Sequence, residues 1–309
     1  MRTARSSLTA RPARCAAISV WAGIGVLALV FGRADAHAAP TRAPTALYYE
    51  TQTGPASFAI DRLDLSGARS STQVVALSNS NVFGIALGGR SIYWSTQSGP
   101  RDRGSIMRAS LDGGPARRLV GALPDLGSVV AVGGDLYWDD RHGIGRVALN
   151  GAHLQRRFIR LAPEAGGGAA DGLASDGTHL YFSRCSDDTI GRASLNGRHV
   201  DPGFISLREL SCPQGLAASG RHIFWTELGQ GWIGRARLDG RHADARWLNV
   251  HSHQGPFQVA VGGGRVYWTW GGENGSPSYT GRAGSHRAHF DRRFLPDSMY
   301  PIALSDRTP

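Results

Sequence analysis

The stretch Phe224-Trp225-Thr226-Glu227, followed after a short polar loop by Ile233-Gly234-Arg235-Ala236-Arg237-Leu238-Asp239-Gly240, decides how the chain is read. An apolar residue, Ile223, leads into an aromatic pair. An Ile-x-Arg step follows, and then Asp-Gly, a strong hairpin signal because both residues tolerate positive φ. The same order recurs along the chain. The aromatic pairs are Tyr48-Tyr49, Tyr93-Trp94, Tyr137-Trp138, Tyr181-Phe182, Phe224-Trp225 and Tyr267-Trp268, with first positions 45, 44, 44, 43 and 43 residues apart. A fixed period of this size marks a repeat architecture.

Each pair is preceded by a Gly-containing turn and a short apolar stretch, such as Val130-Ala131-Val132 or Val259-Ala260-Val261. After each pair come a polar loop, then Ile60-Asp61-Arg62, Ile106-Met107-Arg108, Ile144-Gly145-Arg146, Ile190-Gly191-Arg192 or Ile233-Gly234-Arg235; the sixth unit keeps Gly281-Arg282-Ala283. A fourth short stretch, such as Phe158-Ile159-Arg160, closes the unit. Four short strands joined by tight turns in about 44 residues make a propeller blade. Six pairs predict an all-β, six-bladed β-propeller of four-stranded antiparallel blades. Tyr300-Pro301-Ile302-Ala303-Leu304 looks like a first strand with no aromatic pair after it, and Tyr48-Tyr49 lacks a first strand before it. The C-terminal strand is therefore expected to complete the N-terminal blade and leave no open edge at the seam of the ring.

The pattern apolar-Tyr-Trp-[Thr/Ser], Ile-x-Arg-Ala-x-Leu-[Asp/Asn]-Gly and Gly-[Leu/Ile]-Ala resembles the YWTD repeats of the low-density-lipoprotein-receptor propeller, within the TolB-like and SMP-30-like six-bladed group. The motif's Asp is missing from most units, and the EGF-like modules that flank receptor propellers do not occur in this sequence. The resemblance implies the fold. It leaves function open, because such propellers include receptors and hydrolases.

The formal charge is +10, from 34 basic and 24 acidic residues, and every basic residue is Arg. An all-Arg chain reflects a bias in base composition more simply than a design for phosphate. Specific nucleic-acid binding is not expected; attraction to anionic polymers or cell surfaces is. Residues 1–14 carry four Arg and no acid, the apolar run Ala16 to Phe31 follows, and Ala34-Asp35-Ala36 and Ala36-His37-Ala38 offer small-residue cleavage sites. Residues 1–38 thus read as a secretory signal peptide, or an N-terminal anchor if uncleaved, and residues 39–309 as the propeller. The protein is expected to be secreted and monomeric, touching a membrane only through that segment. In an exported chain, Cys185 and Cys212 are expected to form a disulfide, since both fall in loops at one end of neighbouring blades.

The loops joining the second strand to the third, and the fourth to the next blade, share one end of the ring. They are longer and more varied than the turns opposite, so function is expected there. Aligning the units puts Phe83, Ser128, Asp171, Gln214, Phe257 and Tyr300 at the channel mouth, a mixed polar and aromatic ring suited to a small ligand. Related lactonases hold a divalent metal there. Here only Asp171 is a carboxylate at the mouth, with Glu164 and Glu209 in adjoining loops, whereas a hard cation such as Ca²⁺ wants several oxygens. His251 and His253, flanked by Glu227 and Glu273, form a further weak metal candidate. The Arg62, Arg108, Arg146, Arg192, Arg235 and Arg282 series reads as framework stacked on aromatic rings. The leading expectation is a secreted module without cofactor that binds an extracellular protein, glycan or small molecule. The alternative is an extracellular, metal-dependent, lactonase-like hydrolase.

Overall fold

The computed structural model describes residues 26–27, 45–54, 57–66, 70–78, 81–97, 103–162, 170–251, 255–271, 278–296 and 298–305. All of its regular elements are strands. After β1 (Val26–Leu27), blade 1 holds β2 (Ala46–Gly54), β3 (Ser57–Asp64) and β4 (Ser71–Ser78). Blade 2 is β5 (Asn81–Gly88), β6 (Ser91–Gln97), β7 (Arg103–Ser110) and β8 (Arg117–Pro124); blade 3 is β9 (Val129–Val132), β10 (Asp135–Asp140), β11 (Gly143–Ala148) and β12 (Gln155–Arg160). Blade 4 is β13 (Gly172–Ser175), β14 (His179–Arg184), β15 (Thr189–Ser194) and β16 (Asp201–Ser206). Blade 5 is β17 (Pro213–Ser219), β18 (His222–Glu227), β19 (Trp232–Arg237) and β20 (Asp244–Asn249). Blade 6 is β21 (Pro256–Gly262), β22 (Arg265–Trp270), β23 (Tyr279–Gly284) and β24 (Asp291–Pro296), and β25 (Ser298–Ser305) follows it.

β25 pairs antiparallel with β2, with Ile302 opposite Tyr49 and Leu304 opposite Leu47. The expected closure across the termini is therefore observed. The first strands β5, β9, β13, β17, β21 and β25 adjoin one another in that cyclic order and surround the channel. The expected cleavage sites lie outside the described residues. Of the N-terminal apolar run, Val26 and Leu27 add in parallel to β5, opposite Gly84 and Ile85, on the channel side of the ring.

The core lies in the seams between blades. Trp225 is buried with Tyr181, Ile190 and Ala174 of the preceding blade, and Trp268 with Phe224 and Ile233. Phe182 meets Tyr137 and Ile144 in the same way. Each buried aromatic removes about 150–250 Å² from water, so the repeated pair supplies a large share of what holds neighbouring blades together. The Gly of Ile-Gly-Arg has a steric reason. A Cβ on Gly234 would meet the Trp225 ring at 2.1 Å, and one on Gly191 would meet Phe182 at 2.2 Å. The indole lies directly over a bare backbone.

The Arg series is framework. Arg192 lies 3.8 Å from the Phe204 ring centroid, Arg282 4.1 Å from Phe294 and Arg235 5.0 Å from Trp247. Arg146 sits over Phe158 at 5.2 Å and pairs with Asp135 at 2.7 Å.

Candidate functional site

Four of the six predicted mouth positions share a local geometry that their residue types do not reveal. Phe83, Gln214, Phe257 and Tyr300 fall in register shifts at the entrances of β5, β17, β21 and β25. Ser128 and Asp171 stand one residue before β9 and β13. A bulge re-aims a side chain out of the regular alternation, so these four entrances depart from the pleat. Phe83, Asp171, Gln214 and Phe257 are half-buried, while Ser128 is fully buried. The Ser128 N–H donates to Asp139 Oδ1 at 2.7 Å. Burial, only partly offset by that bond, raises the Asp139 carboxyl to about 7.

Asp171 belongs to a network that runs from the entrance of blade 4 into blade 5. Its Oδ2 accepts the Cys185 N–H at 2.8 Å. Cys185 opens the turn between β14 and β15 and is disulfide-bonded to Cys212 before β17. Asp188, in the same turn, accepts the Leu210 N–H at 3.0 Å and the Cys212 N–H at 2.8 Å through its two carboxylate oxygens. The guanidinium of buried Arg184 donates to Asp187 at 2.7 Å and to the Ala162 carbonyl at 3.1 Å. Further along, Arg208 donates to Glu227 Oε2 at 2.7 Å. Glu227 is fully buried; desolvation raises its carboxyl, and Arg208 pulls it partly back.

Leu210 sits at the crest of this network. It is 62% exposed, the most exposed large apolar side chain among the described residues, and its φ is 65°. An L-residue with a γ-branched side chain avoids that region, at a cost of about 1–2 kcal/mol. The Asp188 carboxylate and the disulfide hold the strained loop in place. The sequence showed the cysteines but not this Leu, because its backbone conformation depends on a carboxylate 22 residues away.

The other metal candidates do not converge with these groups among the described residues. His251 is exposed, its N–H caps on Asn249 Oδ1 at 2.7 Å, and its ring meets Phe290 edge-on at 5.9 Å. His253, Glu273 and Glu164 lie outside the described residues. Among the described residues no group of three or more His, Cys, Asp and Glu is placed to hold a metal.

No protein-family model and no curated protein matches the chain. Solved structures do. A chain of a nidogen/laminin complex is similar over 84% of this chain and 98% of its own length, with 17% identity and a TM-score of 0.65. TolB from Acinetobacter baumannii matches over 84% of this chain and 66% of its own, with 13% identity and a TM-score of 0.62. A putative 6-phosphogluconolactonase from Bacteroides fragilis matches over 82% of both chains, with 13% identity and a TM-score of 0.54. At these identities the likeness is one of fold, and the fold is the six-bladed propeller that the repeat resembles. The roles named for these neighbours are diverse.

Proposed function

We propose that the chain is an exported binding module that engages a protein through the loop end of blades 4 and 5, with Leu210 as the anchor. The observation that carries this reading is Leu210 itself, an exposed apolar side chain in a left-handed backbone, held by a disulfide and a bidentate carboxylate cap. A loop ordered before binding loses little entropy on association, and an exposed apolar anchor gains most from a partner's pocket. The disulfide supports an oxidising, extracellular setting. The similar nidogen/laminin structure is a complex between proteins, which supports a protein partner at that coarse level.

The hydrolase reading draws no comparable support. Asp171 and Glu227, its nearest carboxylates, are committed to the Cys185 N–H and to Arg208. The test is a photo-crosslinking residue in place of Leu210, expressed in the producing organism, against the same residue in place of Leu154 at the turn end, itself 45% exposed. A discrete adduct from position 210 and none from 154 is the expected outcome. Equal labelling from both sites, or none from 210, overturns the assignment. Stoichiometric Ca²⁺ or Zn²⁺ in the purified protein, lost in Asp171→Ala, would move the reading to the hydrolase. Intact mass of the exported protein gives the cleavage site, after Ala36 or Ala38.

A further inference from the structure

The outermost strands of the blades differ sharply in charge. β4 and β16 contain no Arg, and β20 contains one. β8 opens with Arg117-Arg118, and β12 carries Arg156, Arg157 and Arg160. All five are exposed. Charged residues on an edge strand commonly guard against edge-to-edge pairing. Edge protection does not explain this cluster, because β4 and β16 are edges of the same kind and have no Arg at all.

The two strands that carry these arginines also adjoin each other. The Arg156 Nη2 of blade 3 donates to the Gly121 carbonyl of blade 2 at 2.9 Å. The Arg118 side chain lies along the same Gly121, its Cδ 3.0 Å from where a Cβ would be. Two cationic side chains from adjacent blades thus converge on one glycine. Of the acids nearby, Asp140 lies close enough to Arg156 to be lowered by it, and both it and Asp125 have other partners. Asp125 pairs with Arg141, and Asp140 accepts the Trp138 Nε1–H and the His142 N–H. Among the described residues Arg117, Arg118, Arg157 and Arg160 have no carboxylate partner and stack on no ring. The edge of blade 6 behaves differently: Arg292 lies 4.2 Å from the Trp270 centroid and Arg293 4.9 Å from Tyr279.

We propose that the adjoining outer edges of blades 2 and 3 bind a linear acidic polysaccharide. From Arg156 to Arg160 the cations extend over about 13 Å of strand, the shape of a track rather than a pocket. Guanidinium groups offer paired donors that match carboxylate and sulfate oxygens. Single-stranded nucleic acid is the poorer fit, because it calls for exposed aromatic platforms, and the aromatic on these two strands, Phe158, is half-buried under Arg146.

The experiment measures binding of the purified chain to immobilised heparin and polygalacturonate over a salt series. It compares R117S/R157S/R160S with a charge-matched control, R241S/R246S/R293S, on blades 5 and 6. Binding of wild type to at least one of the two polymers is expected. The blade 2–3 variant should lose about tenfold or more in affinity, and its salt slope should fall by roughly one per arginine removed. The control should retain most of both. Equal loss in the two triple variants would reduce the effect to net charge and overturn the proposal. So would tighter binding to duplex DNA or phosphatidylserine vesicles than to either polymer, or no binding to either. The single variants R157S and R160S, with thermal midpoints equal to wild type, give a second reading that does not depend on the triple variant's folding.

Discussion

The seam between blades 1 and 2 and the seam between blades 4 and 5 solve one problem with opposite chemistry. In both, the residue after the aromatic pair reaches across to the entrance of the next blade. At the 4–5 seam it is Ser183, whose hydroxyl donates to the Gln214 carbonyl at 2.6 Å. Tyr181 adds a second link, its hydroxyl reaching the Leu238 carbonyl at 3.3 Å, and the disulfide adds a covalent one. At the 1–2 seam the residue is Glu50, which accepts the Val82 N–H at 3.1 Å. Burial, only partly offset by that bond, raises its carboxyl to about 8. One seam is stitched by hydroxyl groups and cross-linked by the disulfide. The other holds a titratable group away from water, so its strength is expected to vary with pH.

The largest test of this contrast breaks the covalent link. Cys185→Ser with Cys212→Ser should destabilise the protein by about 3 kcal/mol, given a loop of 27 residues, and should loosen the blade 4–5 loops first. Denaturant unfolding with and without reductant checks the first part, and hydrogen exchange at Leu210 and Cys212 the second. The next test titrates the other seam. The folded chain keeps the Glu50 proton to a higher pH than the unfolded chain does. The stability it confers is therefore fully present below the ordinary Glu value and is lost as pH rises through about 8. Glu50→Gln should match wild type near pH 5 and exceed it at pH 9 by about 2–4 kcal/mol. Unfolding curves across that range would show a flatter pH profile, with the remaining slope levelling off above about 7, the raised value of Asp139, which acts with the same sign.

Smaller changes sharpen the comparison within the 4–5 seam. Ser183→Ala should cost about 1–2 kcal/mol at every pH, because the Gln214 carbonyl loses its donor inside the seam. Tyr181→Phe should cost about 0.5–1 kcal/mol, the net worth of one hydrogen bond, since the Asp176 it also contacts has other donors. Chemical denaturation of both single variants and the double would show whether the two links act independently.

The sequence made the period legible because packing demands it: an aromatic must sit in every seam, and a hairpin must end every third strand. The closure was legible for the same reason, since the missing strand at one end matched the spare strand at the other. The stitches between blades were not. Glu50, Ser95, Asp139, Ser183, Thr226 and Thr269 occupy one structural position with four residue types. What recurs at several of them is a polar reach to a blade entrance, such as Ser95 to the Gly127 carbonyl and Thr226 to the Phe257 carbonyl. The recurring Tyr was visible but its bond was not: Tyr93, Tyr137 and Tyr181 each reach a carbonyl in the next blade, at Leu149, Leu195 and Leu238. At the candidate site the cysteines were legible and Leu210 was not, because its strain arises from a cap in another loop.

The pairing of β25 with β2 has a consequence for the order in which the molecule is made. Thr45 and Ser305 share a backbone hydrogen bond across almost the whole chain. Blade 1 therefore stays one strand short while the chain grows on the ribosome, and its edge is satisfied only when β25 emerges. Contacts this distant in sequence form late and slowly. The clasp that makes the finished ring durable also postpones its completion until every blade has been made.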